Sequence, residues 1–209
     1  MDKIICAGKN YLEHAKEMKD GIPEKPVLFL KPPSVLKTCA NWQDECVLHW
    51  PHGANEGDIH YECELVFLIA KSGYCLSEKE ALAAISHVTV GLDMTNRTLQ
   101  KKSKDAGGPW EIGKVFPDAA VIGPWLSLDS LDMSTLPFEY TLNGEVRQKG
   151  DSAEMRVNPV ELLVYASQYF PICAGDLLFT GTPAGVGTVK RGDIARLSLQ
   201  KYAYTVCWR

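Results

Sequence analysis

The chain has 209 residues, enough for one domain with a sizeable core or for two small ones. Its 45 % hydrophobic and 23 % charged content is that of a soluble globular protein, and no apolar run approaches the ~20 residues of a membrane helix. A net charge of −4 gives no electrostatic reason to expect nucleic acid or an anionic membrane as partner, and the seven cysteines, odd in number and without a C-x-x-C pair, argue against a disulfide framework or a structural zinc site. The N-terminus shows neither an apolar leader nor an Arg-rich one, so a cytoplasmic location is the expectation.

Ile4 to Ala7 reads as a strand, Gly8 to Tyr11 as a turn and Leu12 to Lys19 as a short helix, broken by the segment from Gly21 to Pro26. Val27 to Lys31 reads as a strand ended by Pro32-Pro33, and residues 37 to 60 show no regular pattern. A strand is predicted from Glu62 to Ala70, a helix from Glu78 to Ser86 capped by Ser77 with Glu80, and a strand from Val88 to Met94. Residues 100 to 110 are polar and read as a flexible loop. Phe138 to Leu142, Asn143-Gly144 and Glu145 to Gln148 spell a hairpin with a type I′ turn. A helix from Pro159 to Tyr169, a strand from Leu177 to Gly181, and strands from Ile194 to Leu199 and Tyr202 to Trp208 complete the chain. With no repeat or linker, the pattern is one β-rich α+β domain with a few short helices.

The chemistry centres on Glu62 and Glu64. At i and i+2 of a strand they project from one face, side by side, in a segment otherwise built for burial. Two buried carboxylates that close need a cation, and oxygen-only ligands suit Mg²⁺, Mn²⁺ or Ca²⁺. Alone, the pair also fits an edge strand in solvent. Asp93, at the end of the next strand, either completes a three-carboxylate set or caps a turn. His14 and Glu17 share a helix face at i and i+3, as a general-base pair requires or as a solvated face allows. Lys114 could stabilise an oxyanion or sit in solvent. Arg97 and Gln100, three apart, could hold a substrate carboxylate. Thr180-Gly181-Thr182-Pro183 with Gly185-x-Gly187 could bring backbone N–H groups to an anion or form an ordinary loop.

Together these segments resemble the fumarylacetoacetate hydrolase family. The motifs that carry the resemblance are Gly8-Lys-Asn-Tyr-Leu-Glu-His-Ala-Lys-Glu17, Pro26-Val-Leu-Phe-Leu-Lys-Pro32, His60-Tyr-Glu-Cys-Glu-Leu65, Leu92-Asp-Met-Thr95, Gly113-Lys-Val-Phe116, Asn143-Gly-Glu145 and Thr180-Gly-Thr-Pro-Ala-Gly-Val-Gly187. The resemblance implies a mixed β-sandwich or roll over residues 1–209, with a lid at about 14–26, often assembled as a homodimer. It implies Mg²⁺ or Mn²⁺ on Glu62, Glu64 and Asp93, a water-activating pair His14–Glu17, an active-site Lys114, and substrate contacts from Arg97, Gln100, Gly181 and Thr182. Lys9 departs from the family's usual Arg, and Tyr61 from its usual His. The expected substrate is a small 2-oxo acid. The expected reaction is hydrolysis of a C–C bond in acylpyruvate-type 2,4-diketo acids through a pyruvate enolate that the cation stabilises. The alternatives are oxaloacetate decarboxylation or keto–enol tautomerisation at the same site, or an inactive metabolite-binding role.

Overall fold

Two sheets packed face to face frame the described residues. The computed structural model describes residues 1–209 except 18–20, 22 and 56, and only the backbone of 15 and 16. In chain order the described elements begin with β1 (Ile4–Gly8), α1 (Leu12–Glu17), β2 (Val27–Lys31), β3 (Leu36–Thr38), β4 (Glu45–Leu48), β5 (Ile59–Tyr61) and β6 (Cys63–Ile69). The middle third holds α2 (Glu78–Ala84), β7 (Ile85–Asp93), β8 (Thr95–Asn96), α3 (Arg97–Asp105), α4 (Glu111–Lys114), β9 (Ala120–Ile122) and β10 (Leu126–Ser127). The last third holds β11 (Pro137–Leu142), β12 (Glu145–Asp151), α5 (Pro159–Ser167), β13 (Leu177–Phe179), β14 (Gly187–Thr188), β15 (Ile194–Leu199) and β16 (Tyr202–Trp208).

Among the described residues, the larger sheet runs β2-β1-β13-β6-β7-β9-β3, with β10 also on β7; the second runs β12-β11-β15-β16-β4, and β14-β5-β8 form a small third one. The architecture is strand-rich α+β, as the sequence predicts. Period-two burial builds it. Leu65, Phe67 and Ile69 of β6 and Val88, Val90 and Leu92 of β7 face a core shared with Phe138, Tyr140, Leu197, Tyr204 and Val206 of the second sheet. Tyr204 Oη seals the contact by donating to Val90 O at 2.9 Å. The alternate residues, such as Val66, pack with Ile4, Cys6, Ala120 and Phe179 on the other face.

The cap of α2 falls as predicted, and the structure adds a second on α5. Ser77 and Glu80 form a capping box on α2, and Asn158 with Glu161 forms another on α5. The Asn143-Gly144 turn has φ of 51° and 83°, both in the left-handed region that a type I′ turn requires.

Three expectations need correction. Residues 37–60 contain β3, β4 and β5, each only three or four residues long, too short to show alternation. Residues 100–110 are half helix: α3 ends at Asp105, and Gln100 is its buried residue, so no apolar stripe marks it. The helix from Glu78 stops at Ala84, because Ile85 and Ser86 already belong to β7. The predicted helix end at Lys19, and part of the segment 14–26, lie outside the described residues.

Candidate functional site

The C-terminal ends of β1, β13 and β7 meet the N-terminal end of β6 at one edge of the large sheet. Parity does the rest. Cys63 pairs with Leu92 and Glu64 with Gly91, so Glu64 and Asp93 leave the sheet on the face opposite the shared core. Glu62 precedes β6, held by the bond from Asp93 N to its carbonyl at 2.8 Å. Tyr61 points the other way and stacks on Tyr140 with ring centroids 4.3 Å apart. Glu62, Glu64 and Asp93 are all buried and offer carboxylate oxygens within 4.8 Å of one another.

Three cations balance them. Lys114 Nζ bridges Glu62 Oε2 at 2.7 Å and Asp93 Oδ2 at 2.6 Å. Arg97 donates to Glu62 Oε1 at 2.5 Å, and Lys31 Nζ stands 2.5 Å from Asp93 Oδ1. Glu64 has no ion pair among the described residues; it accepts the Gly181 N–H at 2.8 Å. The electrostatics follow from these contacts. Burial pushes the Glu62 carboxyl up, but Lys114 and Arg97 outweigh it and hold it far below the usual range. Burial and the charges of Asp93 and Glu62 push Glu64 well above that range. Burial works against the Lys114 charge, yet Asp93 and Glu62 raise its pKa well above the lysine norm.

This donor set fits a hard divalent cation. It is all oxygen and buried, and it crowds negative charge enough to push one member toward its neutral form. Asp93 Oδ1 accepts no hydrogen bond among the described residues, despite the nearby Lys31. Three carboxylates fill about half of a six-coordinate shell and leave room for a substrate.

Of the ten residues predicted for the site, eight line one cleft: His14, Glu62, Glu64, Asp93, Arg97, Gln100, Lys114 and Thr182. The other two adjoin it. Glu17 lies 3.4 Å from His14 Nδ1, and Gly181 is bonded to Glu64. Helix α3 starts at an Asn96 cap, which places Arg97 and Gln100 on the cleft side; Arg97 also donates to Gln100 at 2.7 Å. Helix α4 docks on α3 at Gly113, where any side chain would meet Gln100 backbone at 2.7 Å, and this close approach delivers Lys114. The acceptor that the Gly181 N–H meets is Glu64 Oε2. Thr182 Oγ1 donates to Cys63 O at 2.8 Å, so its proton is used within the protein.

Sequence reasoning missed Lys31 and Gln148. Lys31 is 1 % exposed and donates to Met94 O and Ala119 O. A lysine ending an apolar strand before Pro-Pro was its signal. Gln148 is equally buried in a strand whose neighbours are exposed, a position that a bulge conceals from simple alternation. Lys9, where the family writes Arg, lines the cleft in left-handed backbone with φ of 58°. Among the described residues no helix is long and apolar enough to cross a membrane.

The sequence pattern of the fumarylacetoacetate (FAA) hydrolase C-terminal family matches residues 3–206. The oxaloacetate tautomerase YcgM of Escherichia coli is 35 % identical over 209 residues, covering 98 % of this chain and 91 % of that protein. The mitochondrial oxaloacetate decarboxylase of Dictyostelium discoideum is 33 % identical over 198 residues, covering 94 % and 88 %. Among solved structures, fumarylpyruvate hydrolase from Pseudomonas aeruginosa, in complex with Mn²⁺ and pyruvate, superposes with a TM-score of 0.91 at 34 % identity, covering 100 % of this chain and 91 % of that one.

Proposed function

The chain belongs to the fumarylacetoacetate hydrolase family, and on that premise we propose that it is a metal-dependent enzyme of keto–enol chemistry on oxaloacetate, with tautomerisation as the net reaction. The observation that carries this reading is the buried set Glu62, Glu64 and Asp93 with the Lys114 ammonium between two of them. The relatives named for oxaloacetate support this substrate over a diketo acid. Glu62, Glu64 and Asp93 are the residues that would hold Mg²⁺ or Mn²⁺. When bound, the cation would supply Lewis-acid polarisation of the 2-oxo group.

The chain's own residues do the remaining work. Tautomerisation moves a proton from C3 and returns one to the C2 oxygen, with no other bond broken. Lys114, kept cationic by Asp93 and Glu62, stabilises the developing charge on that oxygen. His14, oriented by Glu17, carries the proton at carbon. Arg97 and Gln100 bind a carboxylate, and Thr182 lines the same cleft, next to Gly181, which holds Glu64. We read residues 1–209 as one catalytic unit, in a cytoplasmic homodimer.

Acylpyruvate hydrolysis is the second reading. The His14–Glu17 pair favours it, since the same two groups could take a proton from water. The test strips the protein with chelator, restores Mg²⁺ or Mn²⁺, and follows three signals: the enol absorbance of oxaloacetate, pyruvate with CO₂, and acylpyruvate loss. Enol decay faster than in buffer, without pyruvate, is the expected result. Pyruvate and CO₂ would make the enzyme a decarboxylase, acylpyruvate cleavage alone a hydrolase, and silence in all three would sink the enzymatic reading.

A further inference from the structure

The loop 180–188 tracks the carboxylate-bearing segment residue by residue. Thr180 Oγ1 donates to Leu65 O at 2.8 Å, Gly181 N to Glu64 Oε2 at 2.8 Å and Thr182 Oγ1 to Cys63 O at 2.8 Å. Gly187 and Thr188 then pair with Tyr61 and His60. Gly185 N, further along, donates to the Glu17 carboxylate at 3.1 Å. One loop therefore touches both the carboxylate set and the His14–Glu17 pair, and its placement sets how each is aimed.

Gln148 holds this loop from behind. In β12 the residues Val146, Arg147 and Lys149 are exposed, while Gln148 is 1 % exposed. A bulge makes the difference: Tyr140 pairs with Gln148 but Thr141 with Val146, so Arg147 is left over. The bulged Arg147 carbonyl packs against Gly185, where a side chain would come within 2.1 Å of it. Gln148 Oε1 accepts the Cys63 N–H at 3.0 Å, between the two glutamates. Its Nε2 donates to Thr182 Oγ1 at 2.8 Å and to Pro183 O at 2.9 Å, so both amide protons are used. With the bond from Thr182 to Cys63 O, the three residues close a ring of directed hydrogen bonds. That ring commits the single Thr182 hydroxyl proton to Cys63, so toward the cleft this hydroxyl can only accept.

We infer that Gln148 is a positioning residue that keeps the loop 180–188 in register with the Glu62–Glu64 segment and thereby fixes the aim of Glu64 at a divalent cation. The inference rests on the metal-dependent reading above. Groups that orient a metal ligand from behind cost about 10- to 100-fold in metal affinity when lost. The test is Mn²⁺ binding by calorimetry on the full chain, for wild type, Gln148→Met and Leu142→Ala. Gln148→Met keeps length and volume and removes all three bonds. Leu142→Ala opens a cavity in the partner strand of the same hairpin, away from the loop, and controls for lost stability.

The expected result is a Kd about 10- to 100-fold higher for Gln148→Met and unchanged for Leu142→Ala, with a lower kcat/KM on oxaloacetate in the first. A Gln148→Met Kd within about twofold of wild type, or an equal loss in Leu142→Ala, overturns the inference. Should Gln148→Met not fold, Gln148→Asn, which keeps the amide but shortens its reach by a methylene, is judged by the same criterion. Wild type that binds no Mn²⁺ would instead sink the metal-dependent reading, an outcome that no comparison of variants can mimic.

Discussion

Glu64→Gln separates the cation site from the stability of the fold. Glu62 and Asp93 each have cationic partners, but Glu64 has none among the described residues and accepts one backbone N–H. An amide in its place keeps an oxygen for Gly181 and mimics the neutral form toward which burial and the charges of Asp93 and Glu62 push this carboxyl in the metal-free protein. Were Glu64 ionised, each neighbour at 4.8 Å would repel it by about 3.5 kcal/mol at an effective dielectric of ~20, so a neutral amide gives up nothing there. The metal-free variant should therefore melt no lower than wild type. The ion-bound state behaves oppositely. At an Mn²⁺ concentration of 100 times the wild-type Kd, binding stabilises by about 2.7 kcal/mol. For a chain of this size that raises Tm by about 5–11 °C. Loss of one of three charged ligands should weaken binding by at least about 100-fold, the upper end for a mere supporting residue. The same Mn²⁺ then adds only about 0.4 kcal/mol, or about 1–2 °C. Paired thermal melts with and without Mn²⁺ read both quantities. A variant that keeps the full Mn²⁺ shift, or whose metal-free form loses several degrees, would refute the reasoning.

Lys114→Met leaves Glu62 and Asp93 short of a buried partner, and should cost about 3 kcal/mol in the metal-free protein by denaturant titration. Mn²⁺ should bind it at least as tightly as wild type, because no ammonium competes, while kcat falls by about 100- to 1000-fold; weaker Mn²⁺ binding would contradict the bridging role. Asp176→Asn tests an anchor far from the cleft. Burial raises that carboxyl, but N–H groups of Cys173, Asp2 and Lys3 and the Lys3 ammonium outweigh it and hold it below the usual value. A lowered folded pKa means stability that is present above the unfolded value of about 4 and is lost as pH falls through the folded value. The variant should be about 2–3 kcal/mol less stable at pH 7, with the gap closing below pH ~4; a pH-independent gap would contradict the assignment.

A period of two made Glu64 legible, and Glu62, just ahead of β6, shares its site because the bond from Asp93 N to the Glu62 carbonyl carries the ladder back to it. Asp93 followed from the end of the next strand, and Asn143-Gly144 announced its hairpin by backbone requirement alone. Helix α3 was not legible, since only the polar Gln100 among its nine residues is buried. Lys31 escaped because its Nζ acts away from where its strand register places it: Lys31 pairs with Ile4, yet the side chain reaches Asp93, Met94 and Ala119. Gln148 escaped because a bulge breaks the alternation that would have marked it as inward. In each case the missing information was a long side chain's reach or a register shift, both of them tertiary.

Three carboxylates at 4.8 Å would oppose folding of the metal-free chain unless something within the protein neutralised them. Lys31, Lys114 and Arg97 do so, but not alike. Lys31 is also fixed by two carbonyls, and Arg97 also holds Gln100. Lys114 contacts the two carboxylates and the face of Phe29, with its Nζ 4.8 Å from the ring centroid. It is the cation whose polar contacts are to the same oxygens that a divalent ion needs. The fold can therefore form around a lysine-bridged site, and an arriving ion would displace contacts rather than create a pocket. An ammonium displaced from Glu62 and Asp93 would remain over the face of Phe29 in the cleft, as the proposed function requires. That exchange predicts opposite metal responses in two variants of one site: Glu64→Gln loses affinity and Lys114→Met keeps or gains it. A site in which the lysine were only a structural filler would weaken in both.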